Sequence, residues 1–197
     1  MPNLPTHAIK HIPNILTVGR ILLVPLIILI YYWTPGRMSI QTANNLALFT
    51  FFLASITDWL DGFLARKFNA HSDFGATFDP IADKLLVTAM LVLFTKLGRA
   101  DLFIVTLIIF REILMSGFRE WMLKAGKGAA VKVSNLGKYK TTFQMFAIAF
   151  LIANEYRLAY GYTTYHIGQV LLFIAAVLSV LSMLDYFYKA LKAHRTA

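Results

Sequence analysis

Residues 43–97 read ANNLALFTFFLASITDWLDGFLARKFNAHSDFGATFDPIADKLLVTAMLVLFTKL. Two apolar stretches, about 43–67 and 79–97, flank a short polar connector, and each approaches the roughly 20 residues a helix needs to cross a bilayer. Four carboxylates interrupt this apolar sequence: Asp58, Asp61, Asp79 and Asp83. A helix brings positions three and four apart onto one face, so 58, 61, 62, 65 and 66 share a face, as do 75, 79 and 83. Two helices joined by a short connector can therefore turn four carboxylates toward one another. One acid inside a membrane costs roughly 2.5–3.5 kcal/mol even on the mildest scale, and four together also repel. Only strong local positive charge makes that arrangement reasonable.

Outside this stretch the chain continues in the same manner. Of its 197 residues, 58% are hydrophobic and 15% charged, with a mean hydropathy of +0.62. Soluble domains carry about 45–50% apolar and about 25% charged residues, so the excess belongs in a bilayer. Six apolar segments are read, at about 12–33, 43–67, 79–97, 101–123, 137–155 and 163–190. The expected fold is all-α, a polytopic membrane protein with six transmembrane helices. The first segment ends in Tyr31-Tyr32-Trp33 with no small-residue cleavage site; it reads as an uncleaved helix ending in an interfacial aromatic belt. Pro25 is tolerable there as a kink. Residues 1–11 form at most an interfacial segment, and 12–192 form one six-helix domain. No internal repeat or low-complexity stretch is present.

The connectors set orientation. Lys10, Arg66, Lys67, the run Lys124, Lys127, Lys132, Lys138 and Lys140, and the tail Lys189, Lys192 and Arg195 fall on one side of a six-span topology. Arg37, Lys96, Arg99 and Arg157 fall on the other. The positive-inside rule then makes both termini cytoplasmic. The same charges account for most of the net +9 beside anionic lipid headgroups, and no nucleic-acid partner is expected. With no Cys in the chain, disulfide scaffolds and thiolate metal sites are excluded.

An oxygen-rich cluster suits a hard cation, and Mg²⁺ in particular takes a few carboxylates together with waters and substrate phosphates. His71 is the lone imidazole nearby and reads as a polar loop residue, so zinc is not expected. Gly62 and Ala65 share the face of the acids and remove bulk where a ligand could approach the backbone. Arg66 ends that face with a planar donor suited to phosphate. The structural alternative is that the acids pair with Arg66, Lys67 and Lys84 as buried salt bridges. It does not explain the ordering of Gly, Ala and Asp.

The string DxxDGxxARx₈GxxxDxxxD, filled here by Asp58, Asp61, Gly62, Ala65, Arg66, Gly75, Asp79 and Asp83, resembles the signature of the CDP-alcohol phosphotransferase family. Pro13-Asn14-Ile15-Leu16-Thr17-Val18-Gly19-Arg20 is similar to the opening helix of that family. Arg111-Glu112, Gly117-Phe118-Arg119-Glu120-Trp121 and Leu136-Gly137-Lys138-Tyr139-Lys140-Thr141 resemble its branch that uses glycerol 3-phosphate as acceptor. The resemblance covers roughly residues 10–190. It implies transfer of a phosphatidyl group from CDP-diacylglycerol to an alcohol, with release of CMP, in anionic phospholipid biosynthesis. It also implies two Mg²⁺ ions, with Mn²⁺ as a substitute, on Asp58, Asp61, Asp79 and Asp83. Asp58 and Asp79 would bridge both ions, and Asp83 would take the proton from the attacking hydroxyl. Gly62, Ala65, Arg66, Ser72 and Gly75 would surround the CDP portion, with Asn14 and Thr17 approaching from the first helix. A homodimer in the bacterial inner membrane, its active site toward the cytoplasm, is what the family suggests.

A second constellation concerns the acceptor. Arg111 and Arg119 are eight residues apart, hence on nearly one helical face about 12 Å apart, and Lys138 enters from the start of the next helix. Three cations near the membrane surface suit an acceptor with its own phosphate. The bland alternative is local pairing with Glu112 and Glu120, or snorkelling to headgroups. Asp185 is expected to pair locally, and Thr141 and Gln144 either line the pocket or bond between helices. Within the family, inositol phosphate or serine would be the competing acceptors. From another class, a divalent-cation transporter also needs intramembrane acids, though not Gly62, Ala65 and Arg66 beside them.

Overall fold

The computed structural model describes residues 6–68, 73–126, 135–154 and 163–195. Among them the regular elements are six α-helices: α1 (Thr6–Trp33), α2 (Ile40–Phe68), α3 (Asp73–Lys96), α4 (Leu102–Lys124), α5 (Asn135–Ala153) and α6 (Thr164–Arg195). Each of the six apolar segments is thus a helix, and α1 and α3 each begin about six residues earlier than hydropathy alone suggests. α1 starts within the stretch 1–11 and passes Pro25 without a break. The chain groups into two compact units, residues 1–93 and 94–197.

In the first unit α1 packs on α2. The buried positions of α1 are Thr17, Arg20, Val24, Ile27 and Tyr31, a three-four alternation that makes one stripe. On α2 they are Ala43, Asn44, Ala47, Thr50, Phe51 and Ala54. Ala43 and Ala47, one turn apart, let the two backbones approach closely, as small residues do between helices in lipid. Tyr31 donates to Asn44 Oδ1 at 2.9 Å across the pair. Other polar side chains of α2 fold back on their own helix: Thr50 donates to the carbonyl of Leu46 and Ser55 to that of Phe51.

In the second unit α6 is packed by both α4 and α5. α5 and α6 touch at Gly168, where an added Cβ would stand 2.8 Å from the Leu151 side chain and 3.1 Å from its backbone nitrogen. α4 opens on Asp101, whose carboxylate accepts from the backbone N–H groups of Phe103 and Ile104, an ordinary N-cap. The turn before it needs the left-handed backbone of Gly98, φ +67°. Arg99 is buried and donates to the carbonyls of Leu151 and Ile152 at 3.1 and 3.2 Å. It thereby satisfies the open C-terminal turn of α5 with a cation. A second cluster joins Met115 and Met122 of α4 to Tyr186 and Ala190 of α6.

Two helices, Asn14–Trp33 and Thr164–Ala190, are long and apolar enough to cross a membrane, at 20 and 27 residues and mean hydropathies of 2.2 and 2.4. Only 28% and 33% of these spans is buried, whereas a core helix of a soluble protein would be mostly covered. The other helices carry charge within their apolar stretches, yet also expose large side chains such as Phe49, Phe103, Phe110 and Ile113.

Candidate active site

The buried stripe of α2, read onward by turns of three and four, runs from Ala54 to Asp58. That of α1 ends at Arg20 and Thr17, and on α3 Gly75 and Ala82 are buried on either side of Asp79. The same packing that brings these helices together therefore delivers their polar residues to one place. Thr17 donates its hydroxyl to Asp79 Oδ1 at 2.5 Å. Arg20 Nη1 stands 2.5 Å from Oδ1 of Asp58 and 2.5 Å from Oδ1 of Asp83. Asp58, Asp79 and Asp83, from two helices, are thus tied to two residues a single turn apart on α1.

Burial in this cluster is uneven. The Arg20 side chain is 1% exposed, while those of Asp58 and Asp83 are 46% and 54% exposed. The guanidinium lies at the closed back of the cluster and the carboxylates form its open front. A cation at that depth offsets the mutual repulsion of the acids, the condition that the sequence alone demands. Arg20 fills this role from a third helix.

Asn14, Thr17, Gly62 and Gly75 belong to these same three helices, and Gly75 is buried. The side chains of Asp61, Ala65, Arg66 and Lys138, and Ser72 altogether, lie outside the described residues. The helical backbone of α2 continues through 61, 65 and 66.

Among the described residues no group of three acidic or His side chains is arranged to hold a metal ion as it stands. The donor set nevertheless fits one. It is all oxygen, it has accessible carboxylates, and two of its oxygens already share one positive charge. That chemistry suits Mg²⁺ or Mn²⁺ and not zinc.

The second unit holds the other constellation. Arg111 is buried and crosses to α6, donating from Nη2 to Ser182 Oγ at 2.6 Å and from Nε to the Ser179 carbonyl at 3.2 Å. Arg119, two turns along α4, reaches α6 as well, with Nη2 3.4 Å from the Tyr186 hydroxyl. The spacing of eight thus puts both guanidinium groups on the α6 side of α4. Local pairing accounts for only part of this. Arg111 Nη1 lies 3.5 Å from Glu112, but Glu120 pairs with Lys124 at 2.8 Å and not with Arg119. Asp185 does pair locally, with Lys189 at 2.6 Å. Thr141 bonds back to the Gly137 carbonyl of its own helix.

Lys140 is buried and in direct contact with Glu112 of α4. Gln144, one turn further on the same face of α5, has its Nε2 buried without a hydrogen-bond partner among the described residues, as does Ser179 Oγ. Polar capacity therefore accumulates where α4, α5 and α6 exchange side chains.

Sequence reasoning passed over Arg20 and Lys140 as site residues. For Arg20 a signal existed, since it is the one charge in the apolar run 12–33, and a lone intramembrane cation requires an anionic partner. Lys140 was concealed in a run of lysines that the positive-inside rule explains equally well.

A family model for CDP-alcohol phosphatidyltransferase matches residues 10–181. The chain is 41% identical over 185 residues to the CDP-diacylglycerol–glycerol-3-phosphate 3-phosphatidyltransferase of Rickettsia typhi, covering 94% of this chain and 99% of the relative. The protein of the same name from Rickettsia prowazekii is also 41% identical, over 94% and 97% of the two chains. That of Escherichia coli is 41% identical over 184 residues, 89% of this chain and 92% of the relative.

Proposed function

Because the chain belongs to the CDP-alcohol phosphatidyltransferase family, we propose that it transfers the phosphatidyl group of CDP-diacylglycerol to glycerol 3-phosphate, giving phosphatidylglycerophosphate and CMP. The observation that carries this reading is the meeting of Asp58, Asp79 and Asp83 around Thr17 and Arg20, on the residues of the family signature. The names of relatives that match along nearly the whole chain support the acceptor.

Asp58, Asp61, Asp79 and Asp83 would hold two Mg²⁺ ions. When bound, they supply charge neutralisation at the donor diphosphate and stabilise the attacking and leaving oxygens. The residues do the rest. Thr17 fixes the Asp79 carboxylate, and Arg20 holds those of Asp58 and Asp83 together until the metals load. Asp83 has Oδ1 turned toward a cation, which leaves Oδ2 to take the proton of the attacking hydroxyl. Gly62, Ala65 and Gly75 leave room for the CDP portion, with Asn14, Arg66 and Ser72 around it. In the second unit Arg111, Arg119 and Lys138 would receive the acceptor phosphate, a ligand with three oxygens for charge-assisted hydrogen bonds.

The apolar surface left exposed on all six helices supports a six-span arrangement in the bacterial inner membrane, with both termini and the carboxylates toward the cytoplasm. There the CDP-linked donor and the water-soluble acceptor are both available. A homodimer is the assembly we expect. The decisive experiment is an acceptor panel: purified protein with CDP-diacylglycerol and Mg²⁺, offered glycerol 3-phosphate, glycerol, inositol phosphate or serine, and scored by CMP release. Release only with glycerol 3-phosphate is expected. Release with no acceptor in the panel would refute the reading.

A further inference from the structure

We infer that Arg20 is a positioning residue that assembles the carboxylate cluster before any metal arrives, and that a divalent cation must take Asp58 and Asp83 from it. The inference rests on the proposed metal reading and deepens it. Arg20 sits on the buried stripe of α1, one turn from Thr17, with its side chain 1% exposed. Its two partners come from different helices, Asp58 of α2 and Asp83 of α3, and both place Oδ1 2.5 Å from the same nitrogen. Two carboxylates that close repel, and one buried cation between them removes the repulsion. Without it, Asp58 and Asp83 would lose the cation they share.

The same geometry sets up competition. A divalent cation that takes these two oxygens as ligands would compete with Arg20 Nη1 for the same lone pairs. Loading is therefore an exchange of one cation for another. Arg20 stabilises the empty site and weakens the filled one by mass action. A residue that only propped the helices apart would do the first and not the second.

The test uses the full-length protein in detergent, with two readouts that need no catalysis. Thermal unfolding is followed in excess chelator, and Mn²⁺ affinity is measured from the electron paramagnetic resonance signal of the free ion. Arg20→Met is expected to lower the midpoint of unfolding in chelator by roughly 5 °C and to tighten Mn²⁺ binding by roughly tenfold, the factor one charge-assisted contact supplies. Arg20→Lys keeps a cation of shorter reach and should fall between Met and wild type in both readouts. It also carries the test if the Met variant does not fold, because its Mn²⁺ affinity must then exceed that of wild type. Unchanged or weaker Mn²⁺ binding in these variants would overturn the exchange while leaving the metal reading intact. No saturable Mn²⁺ binding by the wild type would overturn both.

Discussion

Asp58→Asn should separate catalysis from folding. The amide keeps the volume and an oxygen that can accept from Arg20 Nη1, at present 2.5 Å away. Arg20 also retains Asp83, at 2.5 Å, so its buried charge keeps an anionic partner. The Asp58 side chain is 46% exposed, and a charge so open to solvent or headgroups is screened. Its loss should cost under about 1 kcal/mol of stability, or a shift of no more than about 4 °C for a chain of this size. Catalysis has no such buffer. A neutral amide is a far poorer ligand for a hard cation than a carboxylate. A loss of at least a hundredfold, about 2.7 kcal/mol in the barrier, is expected. CMP release from CDP-diacylglycerol with glycerol 3-phosphate measures the first quantity, and thermal unfolding in chelator measures the second. Activity above about a tenth of wild type would remove Asp58 from the metal site. A fall of the midpoint by roughly 10 °C or more would make it a structural residue instead.

Three further outcomes follow from the same geometry. Arg119→Ala should raise KM for glycerol 3-phosphate by roughly tenfold or more while leaving that for CDP-diacylglycerol nearly unchanged; the reverse pattern in steady-state kinetics would move Arg119 to the donor site. Gly168→Ala places a methyl 2.8 Å from Leu151 and should cost about 1–3 kcal/mol by overpacking, seen as a lower unfolding midpoint; an unchanged midpoint would mean that α5 and α6 can part without cost. Since the chain has no Cys, Asn69→Cys offers a unique label between α2 and α3, and an impermeant thiol reagent should reach it in inverted vesicles and not from outside intact cells.

Much of this was legible in the sequence, for physical reasons. Apolar length announced all six helices, because an apolar stretch of about 20 residues that leaves water must satisfy its backbone internally. Spacing of three and four announced that Asp58 shares a face with Asp61 and that Asp79 shares one with Asp83. What spacing cannot state is which helix faces which. The partner of Asp79 proved to be Thr17, 62 positions away, and a cation joining Asp58 to Asp83 proved to be Arg20, on a third helix. Helix starts were also poorly legible. Asp73 and Gly75 interrupt the apolar pattern, yet they lie in the first turn of α3. Lys140 and Lys138 stand two apart in one basic run. Only the packing of α5, with Lys140, Gln144, Ala147, Ile148 and Leu151 on one buried face, shows Lys140 to be interior.

The two constellations obey one electrostatic logic with opposite signs. Among the described side chains of the cluster in the first unit, three carboxylates meet the one guanidinium of Arg20, with negative charge at the open front. In the second, Arg111 and Lys140 both turn to the carboxylate of Glu112, and Arg119 adds a third cation two turns further along the same side of α4. Surplus of either sign is costly in a low dielectric unless a ligand completes it. A protein that had to fold only once could have discarded these charges for apolar side chains at little cost. Their retention on buried stripes makes sense if each cluster is kept short of neutrality for its ligand: divalent cations in one case, a phosphate monoester in the other. The internal counter-charges then have a common task. Arg20 and Glu112 each offset part of the like charge around them and leave a remainder opposite in sign to the proposed ligand.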